Sequence, residues 1–286
     1  MKALFIYSKL TGNSRFIKKI DYIIDAFTAH FDEFKAIETF DKESLKQACL
    51  DACHNYDYLI FAGGDGTTNS VINNIANESK KPILGYIPAG TSNDFAHNFR
   101  LRRNIKKAVK IIISGKPTSF DICKVNDRYF AYVLATGAFS EISYSVKRNF
   151  KKAVGNLAYY LGVLRDAFVP QKVVGQLKCN GKIYSVSTPF ILVLNGSRVG
   201  GFHINTKNKI DDGKFTIFIT RKGVFNGLLH YLFFKIFTLK LTTSEFTFSF
   251  FDKPSPWCLD GEKAILNDID VKCLPSYLQI MTPKRK

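Results

Sequence analysis

An α/β domain followed by an antiparallel β-domain is the fold class that this sequence of 286 residues predicts. Up to about residue 119, short apolar runs alternate with segments whose apolar residues recur at helical spacing, which is typical of a doubly wound parallel sheet. From residue 120 the runs are rich in β-branched and aromatic residues and are separated by turns, which is typical of a β-sandwich. We therefore predict an α/β domain over 1–119 and an antiparallel β-sandwich over 120–286, and leave open a return of the C-terminal tail to the first domain.

The elements of the first domain follow from the periodicity of the apolar residues. Runs such as Tyr58–Phe61 predict buried parallel strands, and the recurrence of Phe16, Ile20 and Ile23 predicts a helix. Strands are predicted at 3–7, 34–39, 58–61 and 82–88, and helices at 16–27, 44–54, 66–76 and 105–114.

The second domain is predicted from short strands and turn residues. Asn180-Gly181 between apolar runs indicates a hairpin. A helix is predicted over 140–168, and the very apolar segment 224–241 is predicted to be an amphipathic helix rather than a membrane span, because it is short and contains lysines. Strands are predicted at 120–125, 129–135, 173–179, 182–186, 190–195, 215–220 and 245–251.

Composition restricts the function only broadly. The chain is 46% hydrophobic and carries a formal charge of +17, so it can bury a core and is expected to meet an anionic surface: nucleic acid, anionic lipid or a phosphorylated substrate. The six cysteines form no C-x-x-C pair, which favours reduced core thiols over a zinc site. The N-terminal apolar run is too short for a signal peptide.

A glycine-rich motif, Gly63-Gly64-Asp65-Gly66-Thr67, lies where a predicted strand ends and a helix begins. Glycines there let the backbone approach a ligand, and a helix N-terminus favours phosphate. A carboxylate beside a phosphate is repelled unless a cation lies between them, so Asp65 suggests Mg²⁺. The alternative is an ordinary turn in which Asp65 caps the helix.

A second loop, Gly90-Thr91-Ser92-Asn93-Asp94-Phe95, follows the next predicted strand. By itself it is ordinary helix-capping chemistry. Because parallel strands end at one edge of a sheet, we expect the two loops to converge on the same crevice.

Four motifs in this order resemble the diacylglycerol kinase catalytic family, which includes bacterial soluble lipid kinases and sphingosine kinases. They are the two loops above, Ile210-Asp211-Asp212-Gly213, and Leu259-Asp260-Gly261-Glu262. The resemblance covers nearly the whole chain, whereas NAD kinases and phosphofructokinases share only the first loop. It implies an N-terminal nucleotide-binding domain, a C-terminal lipid-substrate domain, and a crevice between them in which ATP phosphorylates a lipid hydroxyl.

The resemblance also implies which residues bind the nucleotide. The family's first turn, Asn-Pro-x-Ser-Gly, is replaced here by Ser8-Lys9-Leu10-Thr11-Gly12, so that Lys9 could reach a phosphate. The residues implied in nucleotide binding are Lys9, Thr11, Gly12, Gly63, Gly64, Gly66, Thr67, Gly90, Thr91 and Asn93.

Catalytic roles are implied for three carboxylates. Asp65 would hold Mg²⁺ on the phosphates, Asp94 would support or reach the acceptor hydroxyl, and Glu262 would be the general base. For Glu262 the alternative is a solvated side chain beside a plain Asp260-Gly261 hairpin turn.

Two further metal contacts are implied. Asp121 corresponds to a family carboxylate that orders metal-bound water. Asp212, with the backbone carbonyls of Lys209 and Lys214, resembles a structural Mg²⁺ site, and the alternative is an Asp-Gly turn without metal.

The resemblance gives the positive charge an interpretation. Basic side chains would dock a cytoplasmic enzyme on the anionic inner face of a membrane, although a solvated basic face is the alternative. The candidates are Arg100, Arg102, Arg103, Lys106, Lys107 and the cluster over 147–152.

The expected acceptor is diacylglycerol, giving phosphatidic acid. Phosphatidylglycerol, an isoprenoid alcohol, a sphingoid base and a soluble acceptor such as NAD stay open. A nucleotide- or nucleic-acid-binding regulator is disfavoured because basic residues do not interleave with aromatics. A homodimer is neither required nor excluded.

Overall fold

The computed structural model describes residues 1–9, 14–101, 104–137, 173–199, 202–203, 209–220 and 238–284. The chain divides into two compact units. The first contains Met1–Ile122, Ser197–Asp212 and Leu274–Lys286, and the second contains Cys123–Gly196 and Gly213–Cys273. The segment Ser197–Asp212, which the sequence analysis placed in the second domain, thus groups with the first unit.

The first unit is built on a parallel sheet. Its strands lie in the order β2-β1-β3-β4, and the C-terminal part of the long strand β18 adds to β4 in parallel through Ile280 and Leu84. The strand bounds are β1 Lys2–Tyr7, β2 Glu33–Glu38, β3 Tyr58–Gly63, β4 Ile83–Pro88 and β18 Ile269–Thr282.

Helices cover both faces of this sheet, as the apolar periodicity predicted. Alternate strand residues such as Phe5, Ile60 and Ile87 pack with α2 and α6 in one core, and α3 and α4 pack together and against β1 and β3. The predicted helix over 16–27 is two helices. The helix bounds are α1 Ser14–Ile17, α2 Ile20–Thr28, α3 Lys42–Asn55, α4 Asp65–Ile75, α5 Asp94–Asn98 and α6 Ile105–Ser114.

The strand order places a topological switch between β1 and β3. The chain proceeds outward from β1 to β2 on one side and from β3 to β4 on the other. Ligands of such sheets bind at the carboxyl ends of the strands next to the switch. The loop that follows Gly63, the last residue of β3, is therefore the candidate ligand site of this sheet.

The second unit consists of antiparallel strands in two sheets. One has the order β14-β13-β10-β7-β16-β17, and the other contains β15, β8, β9 and the first half of β18, with β6 paired to the end of β5. Residues of both sheets, among them Val173, Phe248, Phe215 and Trp257, share one apolar core, as in a β-sandwich. The strand bounds are β5 Lys116–Val125, β6 Arg128–Phe130, β7 Val133–Gly137, β8 Val173–Cys179, β9 Lys182–Thr188, β10 Phe190–Leu194, β13 Phe215–Thr220, β14 Thr238–Thr243, β15 Glu245–Phe250, β16 Trp257–Leu259 and β17 Glu262–Ala264. The first unit also contains a short antiparallel pair of strands, β11 Arg198–Val199 and β12 Phe202–His203.

The predicted fold class is confirmed, and three further details of the prediction are wrong. The single strand expected over 129–135 is broken between β6 and β7, because a buried carboxylate takes the N–H groups at the break. Residues 238–241, expected to be helical, pair as a strand with β13. The strands β16, β17 and β18 were not predicted.

Two predicted helices, 140–168 and most of 224–241, lie outside the described residues. Among the helices that are described, none is long and apolar enough to cross a membrane.

Candidate functional site: the loops after β3 and β4

The first loop is short because β3 leads directly into a helix. Gly64 is the N-cap of α4, and it contributes no side-chain hydrogen bond to the helix start. The next residue, Asp65, opens the first turn, and the Thr67 side chain lies directly over Gly63. The amide groups and dipole of this helix start can therefore act on an anion.

The second loop presses against the first. Gly63 pairs with Pro88, and the Ala89 N–H donates to the Gly63 carbonyl at 2.8 Å, so β3 and β4 end side by side. A Cβ added to Gly90 would lie 2.5 Å from the Cα of Gly64. The expected convergence of the two loops is thus present, and it depends on glycine at both sides of the contact.

Asp65 links the two loops through its carboxylate. Its Oδ1 accepts a hydrogen bond from the Phe95 N–H at 3.1 Å, so Asp65 caps the start of α5. The half-buried carboxylate is thereby held against the second loop. Its predicted contact with Mg²⁺ remains a prediction.

Asn93 closes the second loop on itself. It has a left-handed backbone with φ of 52°, which asparagine tolerates better than most residues. Its side chain accepts from the Gly90 N–H at 3.0 Å and donates to the Gly90 carbonyl at 2.9 Å. Asn93 and Asp94 are both buried, at 1% and 2% exposure, whereas Thr91 is exposed.

Tyr86 is a member of this site that the sequence analysis missed. Its hydroxyl donates to the Gly63 carbonyl at 3.1 Å and is 3.3 Å from Oδ1 of Asn93, so it joins the ends of both loops from beneath. The only signal in the sequence was a hydroxyl in an otherwise apolar strand.

Lys9, a predicted phosphate contact, is paired with a carboxylate. Its Nζ lies 2.8 Å from Oε2 of Glu38, the last residue of β2, and this pairing raises the pKa of Lys9. The other predicted contacts of that turn, Thr11 and Gly12, lie outside the described residues.

Asp121 is a fully buried carboxylate of the first unit. Its Oδ1 accepts from the Ser276 N–H at 2.7 Å, and its own N–H donates to the Ile210 carbonyl at 2.7 Å. Asp121 therefore anchors the segment that carries Asp212.

The Asp212 turn folds back on itself. The Lys209 N–H lies 3.3 Å from Oδ2 of Asp212, which is exposed. Lys214, the third predicted member of this metal site, belongs to the second unit. Among the residues that the structure describes, no three His, Cys, Asp or Glu side chains are grouped as a metal site.

Glu262 lies in the second unit, directly after a two-residue turn. Leu259 pairs with Glu262, and the residues between them, Asp260 and Gly261, have φ of 49° and 98°. Positive φ at both positions is what a type I′ hairpin requires. Glu262 is exposed, as the hairpin alternative expected, but Asp260 is only 2% exposed.

All six cysteines are buried, as core thiols would be. Burial raises the pKa of Cys49 to about 12 and that of Cys53 to about 11. Neither thiol is therefore a nucleophile near neutral pH.

Known proteins resemble this chain in sequence and in fold. Residues 2–125 match the model of the diacylglycerol kinase catalytic domain. Diacylglycerol kinases of Staphylococcus aureus (strain bovine RF122) and Staphylococcus saprophyticus are each 33% identical to it, the first over 80% of this chain and 73% of its own length, the second over 80% and 76%.

Solved structures agree on the fold. A Bacillus anthracis (strain Sterne) protein provisionally assigned as a diacylglycerol kinase superposes with a TM-score of 0.86, covers 98% of this chain and 95% of its own, and is 23% identical. A second from that strain gives a TM-score of 0.83 at 21% identity over 98% of this chain and 96% of its own.

The matched catalytic-domain model covers most of the first unit and the first three residues of the second. Because of its identity to the staphylococcal enzymes over most of their length, the chain belongs to the diacylglycerol kinase family. The prediction of a lipid kinase is thereby confirmed at the level of the family.

Proposed function

We propose that this protein transfers the γ-phosphate of ATP to the hydroxyl of diacylglycerol, which gives phosphatidic acid and ADP. The observation that carries the proposal is the pair of loops after β3 and β4, joined by the Gly64–Gly90 contact and the Asp65–Phe95 hydrogen bond. The names of the staphylococcal relatives favour diacylglycerol as the acceptor.

The nucleotide phosphates would bind at the start of α4. Gly64 brings no side chain to cap that helix, so phosphate oxygens can accept from its first-turn N–H groups. Thr67, half-buried in the first turn, and Thr91, exposed on the second loop, would add hydroxyl contacts.

The carboxylate of Asp65 fits a magnesium ion. It is a hard oxygen ligand, it is not fully buried, and its orientation is fixed by the Phe95 N–H. Bound there, Mg²⁺ would neutralise charge on the transferring phosphates. The Asp212 turn, anchored through Asp121, would hold a second, structural ion with carbonyls of Lys209 and Lys214.

Glu262 would be the general base. A lipid alcohol has a pKa far above 7, so a base must take its proton as the oxygen bonds to the γ-phosphorus and the bond to ADP breaks. The side chain of Glu262 is exposed, and its backbone is held in the hairpin by pairing with Leu259. Asp94, at the start of α5, would support the acceptor hydroxyl.

The positive charge would hold the enzyme on the anionic cytoplasmic face of a membrane. Arg100, Lys106 and Lys107 are exposed in the first unit, and each basic residue near such a surface adds about 1 kcal/mol. The other basic residues of this prediction, Arg102, Arg103 and those over 147–152, lie outside the described residues.

Replacing the base tests the proposal. With labelled ATP and micelles containing diacylglycerol, Glu262→Gln is expected to lower kcat by about 100-fold or more and to leave the KM for ATP unchanged, since general bases contribute that much. Glu245→Gln, an exposed glutamate of the same unit, is the matched control and should keep full activity.

Two outcomes would contradict the proposal. Full activity of Glu262→Gln would show that Glu262 is not the general base. Transfer of label to NAD in the absence of lipid would replace the lipid acceptor by a soluble one.

A further inference from the structure

Asp260 is a buried carboxylate that accepts three backbone hydrogen bonds. The N–H groups of Ala131, Tyr132 and Val133 donate to it at 2.6, 3.0 and 3.0 Å. In return the Asp260 N–H donates to the Val133 carbonyl at 2.9 Å. The carboxylate thus satisfies all the N–H groups at the break between β6 and β7.

Asn195 binds the same tripeptide through its carbonyl groups. Its backbone N–H donates to the Tyr132 carbonyl at 2.9 Å, and its Nδ2 donates to the Ala131 carbonyl at 2.8 Å. Residues 131–133 are therefore fixed by two buried side chains, and Asp260 is tied to a rigid segment rather than to a loop.

The hairpin turn itself does not require this carboxylate. The Asn180-Gly181 turn of the second unit places an asparagine at the same position, with φ of 50° and 69° at its two central residues. The exposed side chain of Asn180 donates to the carbonyl of Thr242. A neutral, exposed asparagine is thus sufficient for such a hairpin in this sandwich, so the turn alone does not account for the buried carboxylate of Asp260.

We propose that Asp260 is a positioning residue for Glu262, an inference that rests on the proposed function. Asp260 is the first of the two turn residues, and its buried side chain fixes the turn. Glu262 follows two residues later and pairs with Leu259. The main chain that carries Glu262 is thereby fixed, which a general base requires because a misplacement of about 1 Å can cost 100-fold in rate.

A double-mutant cycle tests the inference with labelled ATP and diacylglycerol micelles. Asp260→Asn is expected to lower kcat at least about tenfold, with the KM for ATP changed by less than about twofold. In the Glu262→Gln background the same substitution is expected to lower the residual rate by less than about twofold, because a residue that acts through Glu262 has nothing left to position.

Each outcome of the cycle is decisive. An equal loss in both backgrounds would show a purely structural role, and no loss in the wild-type background would overturn the inference. Failure of the proposed function would be recognised separately, because the single variant Glu262→Gln would then retain full activity.

A second pair of variants keeps the inference testable if Asp260→Asn does not fold. Gly261 and Gly181 both have positive φ in two-residue turns, and a Cβ added to either meets no atom within 4 Å. Gly261→Ala and Gly181→Ala therefore each place a Cβ on a residue of positive φ, 98° and 69°, without a steric clash and in the same unit. We expect only Gly261→Ala to lower kcat, by about tenfold, and an equal effect of the two would overturn the inference.

Discussion

The dipeptide Asp-Gly serves different purposes in the two units. Asp65-Gly66 opens a helix at the edge of the parallel sheet, where the half-buried carboxylate accepts a hydrogen bond from the neighbouring loop. Asp260-Gly261 forms a hairpin turn in which the carboxylate is 2% exposed and takes three N–H groups of its own unit. The comparison shows that the same dipeptide leaves its carboxylate half-buried at the edge of a parallel sheet and fully enclosed in an antiparallel hairpin.

A third copy, Asp212-Gly213, follows neither pattern. Asp212 is exposed, and its carboxylate accepts from the Lys209 N–H of its own turn, at 3.3 Å. It resembles neither the buried anchor at Asp260 nor the inter-loop contact at Asp65, which is why its predicted metal stays a proposal.

The largest effect on stability is expected at the glycine contact that places Asp65. A Cβ on Gly90 would lie 2.5 Å from the Gly64 Cα and 2.8 Å from Oδ1 of Asn93, so backbone must move. Gly90→Ala should lower the free energy of unfolding by about 3 kcal/mol, within the range of overpacked sites, and abolish phosphate transfer. Chemical denaturation measures the free energy of unfolding, and the kinase assay measures phosphate transfer.

Gly64→Ala is the graded control for that experiment. Its Cβ would lie 3.1 Å from the Gly90 Cα, so we expect a loss of about 1 kcal/mol. Equal stability of the two variants would show that the loops do not press on each other as described.

The same substitution at both aspartates sharpens the comparison. Asp260→Asn should lower the free energy of unfolding by about 2 kcal/mol, because an amide cannot accept all three buried N–H groups equally well. Asp65→Asn keeps an Oδ1 that can accept from Phe95, so its stability should change by less than about 0.5 kcal/mol. Its phosphate transfer should nevertheless fall about 100-fold, because a charged ligand for Mg²⁺ is lost.

Full activity of Asp65→Asn would contradict this prediction. It would show that the Asp65 carboxylate is only a cap for α5 and that the proposed metal contact is wrong. Asp65→Ala, which also removes the hydrogen bond, should cost about 1 kcal/mol more in stability.

Local patterns were enough to predict strands β1 to β4 and the helices α3, α4 and α6 of the first unit. The helix α6 begins and ends at the predicted residues Ile105 and Ser114, since its apolar stripe and its Asn104 cap are encoded within the segment. The strands that precede both loops were predicted for the same reason.

Long-range contacts could not be predicted in this way. The break at Ala131 depends on Asp260, which is 129 positions away in the chain, and no periodicity within 129–135 reveals it. The contact between Asp65 and Phe95 spans 30 positions and involves a backbone N–H, which leaves no trace in residue type. The strand at 238–241 was missed because its pairing with β13, rather than its own apolar content, determines its conformation.

The central claim is the transfer of phosphate to a lipid hydroxyl, and one measurement tests it most directly. The purified protein is incubated with γ-labelled ATP, Mg²⁺ and a total lipid extract, and the labelled product is identified. We predict a single labelled lipid, phosphatidic acid, which increases when diacylglycerol is added and falls about 100-fold with Glu262→Gln. Label confined to inorganic phosphate or to a water-soluble acceptor would contradict the account.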